Sequence, residues 1–212
     1  MSKTGIIFDL DMTLVDTSAI FKLRENRLWS DVYKNIHKTN IYDGILGLLQ
    51  ELKSKYKLGI VTSSPRTYAE RLISFHGIEI PILTAYHDTS LHKPDPAPII
   101  HGCQRIGLKP NKVISIGDDL KDIAGSNNAG TTSVFVSWGS ASTSIYGSNY
   151  ICRTVSELKS LLEAIKSSTM YGYYKVIKGK KITVSPIPIA TSRSILRLLV
   201  KAMPMTATNT PI

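Results

Sequence analysis

The chain has 212 residues, 42% of them apolar, which is long enough for one well-buried α/β domain with an appendage. No apolar run reaches the roughly 18 residues needed to cross a bilayer. Cys103 and Cys152 lack CxxC spacing, which argues against a disulfide framework or a structural zinc site.

The formal charge of +10 is unevenly spread: residues 170–212 hold 7 Lys/Arg and no acid, whereas residues 1–169 hold 19 Lys/Arg against 16 Asp/Glu. The elements divide the same way. Gly5–Leu10 reads as a strand that starts almost at once, leaving no room for a signal peptide, so a cytoplasmic protein is expected. Residues 17–42 interrupt the pattern with helical-looking sequence (Ala19 to His37) rich in Lys, Arg, Trp and Tyr, an insertion over one end of the sheet. Helix 44–56, strand Leu58–Thr62, helix 66–76, strand Ile80–Ala85, helix 96–106, strand Val113–Gly117, helix 119–129, strand Ser133–Val136 and helix 155–166 then alternate. Gly77 and Gly107 stop two of the helices. The strands are brief, nearly continuous apolar runs, as expected where both faces are covered. A parallel sheet in a three-layer α/β/α, Rossmann-like fold follows, with residues 1–169 as core, 17–42 as a small cap insertion and 170–212 as a basic C-terminal extension. In the extension, Tyr173–Ile177 and Lys181–Ser185 suggest a hairpin, and Ser194–Met203 a short apolar helix after a Pro-Ile-Pro break. Such a segment reads first as a solvated or docked tail, with a polyanion as the functional alternative.

In a doubly wound sheet, ligands collect beyond the carboxyl ends of the strands. That rule selects Asp9 and Asp11 after the first strand, and Thr62, Ser63 and Ser64 after the second. It also selects Lys93 after the third and Asp118, Asp119 and Asp122 after the fourth. Carboxylates from separate strands form a hard oxygen site suited to Mg²⁺. Lys93 and the Thr62 hydroxyl supply charge and a donor for phosphate oxygens, and an aspartate can accept a phosphoryl group. The residues alone point to phosphoryl transfer. Asp119 and Asp16 read as helix caps, and His37, His76, His87, His92 and His101 show no metal-ligand spacing.

Asp9-x-Asp11-x-Thr13, Thr62 after an apolar strand, Lys93 before Pro94, and Gly117-Asp118-x-x-x-Asp122 resemble, in order, the four motifs of the haloacid dehalogenase superfamily. The strings Phe8 to Thr17 and Lys93 to Pro98 are similar to its phosphoglycolate phosphatase branch. The resemblance implies that Asp9 attacks phosphorus and Asp11 serves as acid and then base. It implies a Mg²⁺ site made of the Asp9 carboxylate, the Asp11 backbone carbonyl and the Asp118 carboxylate, with Asp122 or Asp119 in support. Thr62, Ser63 and Lys93 would hold the transferring phosphate. The second aspartate sets the chain apart from the dehalogenases of this fold.

Two departures from that pattern stand out. Met12 occupies a place where the branch usually has glycine, and a positive φ there would strain Met. About 26 residues remain for the cap (17–42), short of a four-helix cap, so the site should be open. Hydrolysis of a small phosphomonoester is the leading expectation. A phosphosugar mutase, a catalytically silent phospho-ligand-binding protein, and a nucleotide or polynucleotide-end substrate recruited by the basic extension are the alternatives.

Overall fold

The structure, a computed structural model, describes residues 3–139, 147–166, 175–177 and 180–182. Strand β1 (Gly5–Phe8) leads into a two-residue strand β2 (Val15–Asp16), the short helices α1 (Phe21–Glu25) and α2 (Trp29–Lys34), and β3 (Asn40–Ile41). The chain continues through α3 (Ile45–Lys53), β4 (Lys57–Val61), α4 (Arg66–Phe75), β5 (Leu83–Thr84), α5 (Ala97–Arg105), β6 (Val113–Gly117), α6 (Leu120–Ala129), β7 (Thr132–Val136), β8 (Tyr150–Cys152) and α7 (Val155–Lys166). An antiparallel pair, β9 (Lys175–Ile177) and β10 (Lys180–Ile182), lies in the basic extension. The expected helix Ser194–Met203 falls outside the described residues.

Six strands form one parallel sheet in the order β5-β4-β1-β6-β7-β8. Alternation along β1 shows why its sequence is apolar throughout. Ile6 and Phe8 pack with α3, α4 and α7 through Leu48, Leu52, Leu72 and Leu161, while Ile7 packs with Ile99 and Cys103 of α5. Each such fully buried side chain contributes about 1.5–3 kcal/mol. The α5 face approaches closely: a Cβ on Gly102 would lie 2.5 Å from Val61 Cγ2.

The order reverses between β1 and β6, the switch point at whose carboxyl ends ligands bind in such sheets. Two details differ from the sequence reading. The strand expected over Ile80–Ala85 shrinks to Leu83–Thr84, since Pro81 has no N–H for the ladder. Strand β8 is an added edge strand of only three residues, too short to register as a run. The insertion holds two short helices, within the one or two its length allows: α1 ends at Glu25, and Arg27, at φ 55°, lies between it and α2. Strands β2 and β3 pair antiparallel at the insertion's base, Val15 opposite Ile41.

Candidate active site

Strand β1 ends at Phe8, and the Asp9 amide continues its pairing by donating to the Ile116 carbonyl of β6 (2.8 Å). Beyond this point the backbone turns sharply. The Met12 amide donates to the Val15 carbonyl (2.7 Å), and Met12 adopts φ 62°, the left-handed conformation that its sequence position called into question. The turn carries Asp9, Asp11 and Thr13 in three directions.

Asp9 meets the lysine and the acids of the other strand ends. Lys93 Nζ donates to Asp9 Oδ1 (2.7 Å), Asp122 Oδ1 (2.7 Å) and the Val61 carbonyl (2.6 Å), which uses all three ammonium donors. The lysine side chain is 3% exposed and that of Asp9 11%. Asp118, after β6, accepts from Thr13 Oγ1 (2.7 Å), whose own carbonyl accepts from Trp138 Nε1 (3.0 Å). Asp122 reaches back from the first turn of α6, where its Oδ2 accepts the Asp119 amide in a capping box. Gly117 makes this return possible, since a Cβ there would lie 2.5 Å from the Asp122 Cβ. Asp119 accepts from the Lys121 amide (2.8 Å) as the helix cap expected of it, whereas Asp16 accepts from the Ser18 amide (2.9 Å) in a turn ahead of the 3-10 helix Ser18–Ile20, whose cap position is Thr17.

Carboxylate oxygens of Asp9, Asp118 and Asp122 lie within 4.8 Å of one another. Three carboxylates face one lysine, so their charge is under-compensated. Burial, with Asp122, Asp118 and Asp11 nearby, raises Asp9 well above the usual carboxylate range despite Lys93. Burial and Asp122 push Asp118 up to about 7, against the Thr13 hydrogen bond. Burial opposes the Lys93 ammonium, but Asp122 and Asp9 outweigh it and raise Lys93 above its ordinary value. An oxygen-only donor set carrying two unbalanced negative charges fits a hard divalent cation such as Mg²⁺.

Asp11 has a different set of partners. Its Oδ1 accepts from Tyr68 Oη of α4 (2.7 Å), and its Oδ2 from Ser64 Oγ (2.7 Å) and Arg24 Nη2 of the insertion (2.8 Å). Arg24 also reaches Thr17 Oγ1 (2.8 Å) and lies over the Tyr68 ring. Thr62 Oγ1 accepts from the Ser64 amide (3.1 Å). Ser63 is exposed on the wall of a neighbouring cavity, so Ser64, not Ser63, is the serine that touches an aspartate. Neither Arg24 nor Tyr68 carries a local sequence signal, and Ser64 stands in the sequence as one of two equivalent serines. A Ser-Ser pair after a strand was the sole local signal, and it named both serines equally.

A family model described as haloacid dehalogenase-like hydrolase matches residues 22–136. The chain belongs to the haloacid dehalogenase-like hydrolases. A curated relative, pyrophosphatase PpaX of Bacillus mycoides, is 32% identical over 213 aligned residues, covering 78% of this chain and 99% of the relative. N-acetylmuramic acid 6-phosphate phosphatase of Pseudomonas aeruginosa is 36% identical over 101 residues, 46% of this chain and 45% of its own. Among solved structures, a HAD phosphatase from Thermococcus onnurineus superposes with a TM-score of 0.65 at 21% identity, over 75% of this chain and 97% of its own. Among the described residues, no helix is long and apolar enough to cross a membrane.

Proposed function

We propose that this hydrolase is a Mg²⁺-dependent phosphatase that cleaves a small phosphomonoester through an aspartyl-phosphate on Asp9. The observation that carries the reading is the pairing of Asp9 with Lys93 beside the under-compensated Asp118 and Asp122, at the switch point of the sheet. Asp9 would attack phosphorus as the bond to the leaving oxygen breaks, and Asp11 would protonate that oxygen. Asp11 would then take a proton from the water that attacks the aspartyl-phosphate, releasing phosphate and restoring Asp9. Lys93, with every N–H already engaged, acts by fixing Asp9 and by its charge, while the Thr62 hydroxyl remains a donor for a phosphoryl oxygen. When bound, Mg²⁺ would be held by Asp9, the Asp11 carbonyl and Asp118, with Asp122 in support, and would supply Lewis-acid neutralisation of the phosphoryl charge.

The relatives' names, a pyrophosphatase and a sugar-phosphate phosphatase, favour a small phosphorylated substrate over a polynucleotide end. Buried free thiols at Cys103 and Cys152 suit a reducing, cytoplasmic setting. Phosphate release from p-nitrophenyl phosphate tests the reading. Activity should require Mg²⁺ and fall by roughly 10³-fold or more in Asp9→Asn. An Asp9→Asn protein that hydrolyses as fast as wild type would sink it.

A further inference from the structure

The turn after β1 is held partly by its own backbone, the Met12 amide on the Val15 carbonyl and the Leu14 amide on the Leu10 carbonyl (3.0 Å). The Thr13 carbonyl is served differently. Thr13 is buried, and the donor to its carbonyl comes from 125 residues away, the indole N–H of Trp138 at 3.0 Å. Trp138 lies just beyond β7, outside the motifs that mark the other strand ends.

The indole is itself fixed. The Ser137 amide donates to the Cys152 carbonyl (3.0 Å), which extends the pairing of β7 with β8 by one residue. The Trp138 ring meets Tyr42 edge-on, with centroids 6.4 Å apart, and the Tyr42 amide donates to the Leu14 carbonyl (3.2 Å) of the same turn. Gly139 lets the loop come this close, because a Cβ there would collide with the Met12 carbonyl oxygen. The turn is thus gripped from outside at Met12, Thr13 and Leu14.

That grip controls where the Thr13 side chain points. Threonine is branched at Cβ and stiff at χ1, so a fixed peptide plane fixes the direction of its hydroxyl. The hydroxyl donates to Asp118 Oδ1 (2.7 Å), holding one end of the carboxylate and stopping it from turning about its Cβ–Cγ bond. Two hydrogen bonds in series therefore join the indole N–H to one of the three clustered carboxylates. Groups that orient a metal ligand without touching the metal typically change affinity by roughly 10–100-fold.

We propose that Trp138 is a positioning residue for the divalent cation: its N–H, acting through Thr13, holds Asp118 in the orientation that binds Mg²⁺. The proposal rests on the Mg²⁺-dependent phosphatase reading and adds to it a residue from the loop after β7. Without the N–H, the buried Thr13 carbonyl loses its donor, the peptide plane is free to turn, and the hydroxyl leaves Asp118. Thr62 and Lys93 keep their places, so the defect is one of cation binding and excess Mg²⁺ should repair it by mass action.

Calorimetric titration of Mg²⁺ into the full chain reads the affinity without any turnover. Trp138→Phe keeps an aromatic ring against Tyr42 and deletes the N–H; its Kd should rise roughly tenfold. Its kcat for p-nitrophenyl phosphate should return to within about twofold of wild type once Mg²⁺ is raised in proportion. Thr13→Val, isosteric and with the indole intact, should raise Kd by at least as much. The double variant should bind no more weakly than Thr13→Val alone, since the indole acts through the hydroxyl. An unchanged Kd in Trp138→Phe, whatever its urea midpoint, would overturn the proposal and leave the phosphatase reading standing, as would effects of the two substitutions that simply add. Should Trp138→Phe not fold, Thr13→Val decides: a Kd equal to wild type overturns the proposal, and a tenfold rise sustains it. A wild-type chain that binds no Mg²⁺ would remove the Mg²⁺ reading and the proposal together.

Discussion

Asp9 and Asp11 stand two residues apart on one turn, yet their electrostatic surroundings are opposite. Around Asp9, three carboxylates share a single lysine, and burial raises both Asp9 and Asp118. Around Asp11, one carboxylate has an arginine, a serine hydroxyl and a tyrosine hydroxyl, all within 2.8 Å. The first region is built from the ends of the sheet and has one cation for three carboxylates; the second is built from the insertion, the loop after β4 and α4, and its carboxylate is fully partnered. A buried ion group left without its partner costs far more than a pair contributes net, so the two regions should respond differently to loss of their cation.

Lys93→Met is expected to give the largest effect. It leaves three neighbouring carboxylates with no counter-charge and should lower the stability of metal-free protein by about 3–5 kcal/mol at pH 7.5, measured by urea unfolding. Arg24→Met removes one partner of a carboxylate that keeps two hydroxyl donors, so about 2–3 kcal/mol is expected. Added Mg²⁺ should recover part of the Lys93→Met loss and none of the Arg24→Met loss. Equal losses with equal recovery would erase the distinction between the regions.

Proton linkage sharpens the same contrast. Asp118 binds its proton more tightly folded, near pH 7, than unfolded, near the ordinary carboxylate value of 3.8, and Asp9 is shifted in the same direction. Between about pH 4 and pH 7 the unfolded chain therefore binds fewer protons than the folded one, and stability falls as pH rises through this window. The urea midpoint in EDTA should accordingly drop from pH 5 to pH 7.5. Mg²⁺ should restore more at pH 7.5, where its ligands are deprotonated, than at pH 5. A metal-free midpoint that rises over this interval would contradict the assignment of an under-compensated cluster.

The difference between the regions also marks how far the sequence could be read. Asp9, Thr62 and Asp118 each directly follow a short apolar strand, and Lys93 lies in the segment beyond β5, so local pattern plus the rule for strand ends brings them together. Tyr68 and Ser64 meet Asp11 from 57 and 53 residues away, with nothing periodic to announce them. Arg24 is one of several basic residues in a helical-looking insertion, and nothing in its spacing marks it as the one that meets Asp11. Strand β8 escaped for a related reason: three residues at a sheet edge draw their identity from pairing with β7.

The smallest effect belongs to the turn that separates the two aspartates. Met12 at φ 62° carries the left-handed penalty of about 1–2 kcal/mol for an L-residue, while glycine there would cost about 0.5–1 kcal/mol of unfolded-chain entropy. Met12→Gly should thus stabilise the protein by about 0.5–1 kcal/mol, read as a shift in the urea midpoint. The backbone of this turn is tightly held from outside: a Cβ on Gly139 would collide with the Met12 carbonyl, and Trp138 fixes the Thr13 carbonyl. Since the surroundings hold the turn, the substitution should leave the Asp9–Lys93 and Asp11–Arg24 contacts in place and leave kcat within about twofold, on the scale of a backbone change that adds no new contact. A loss of stability in Met12→Gly would mean that the side chain, and not the surrounding backbone, keeps the two aspartates apart.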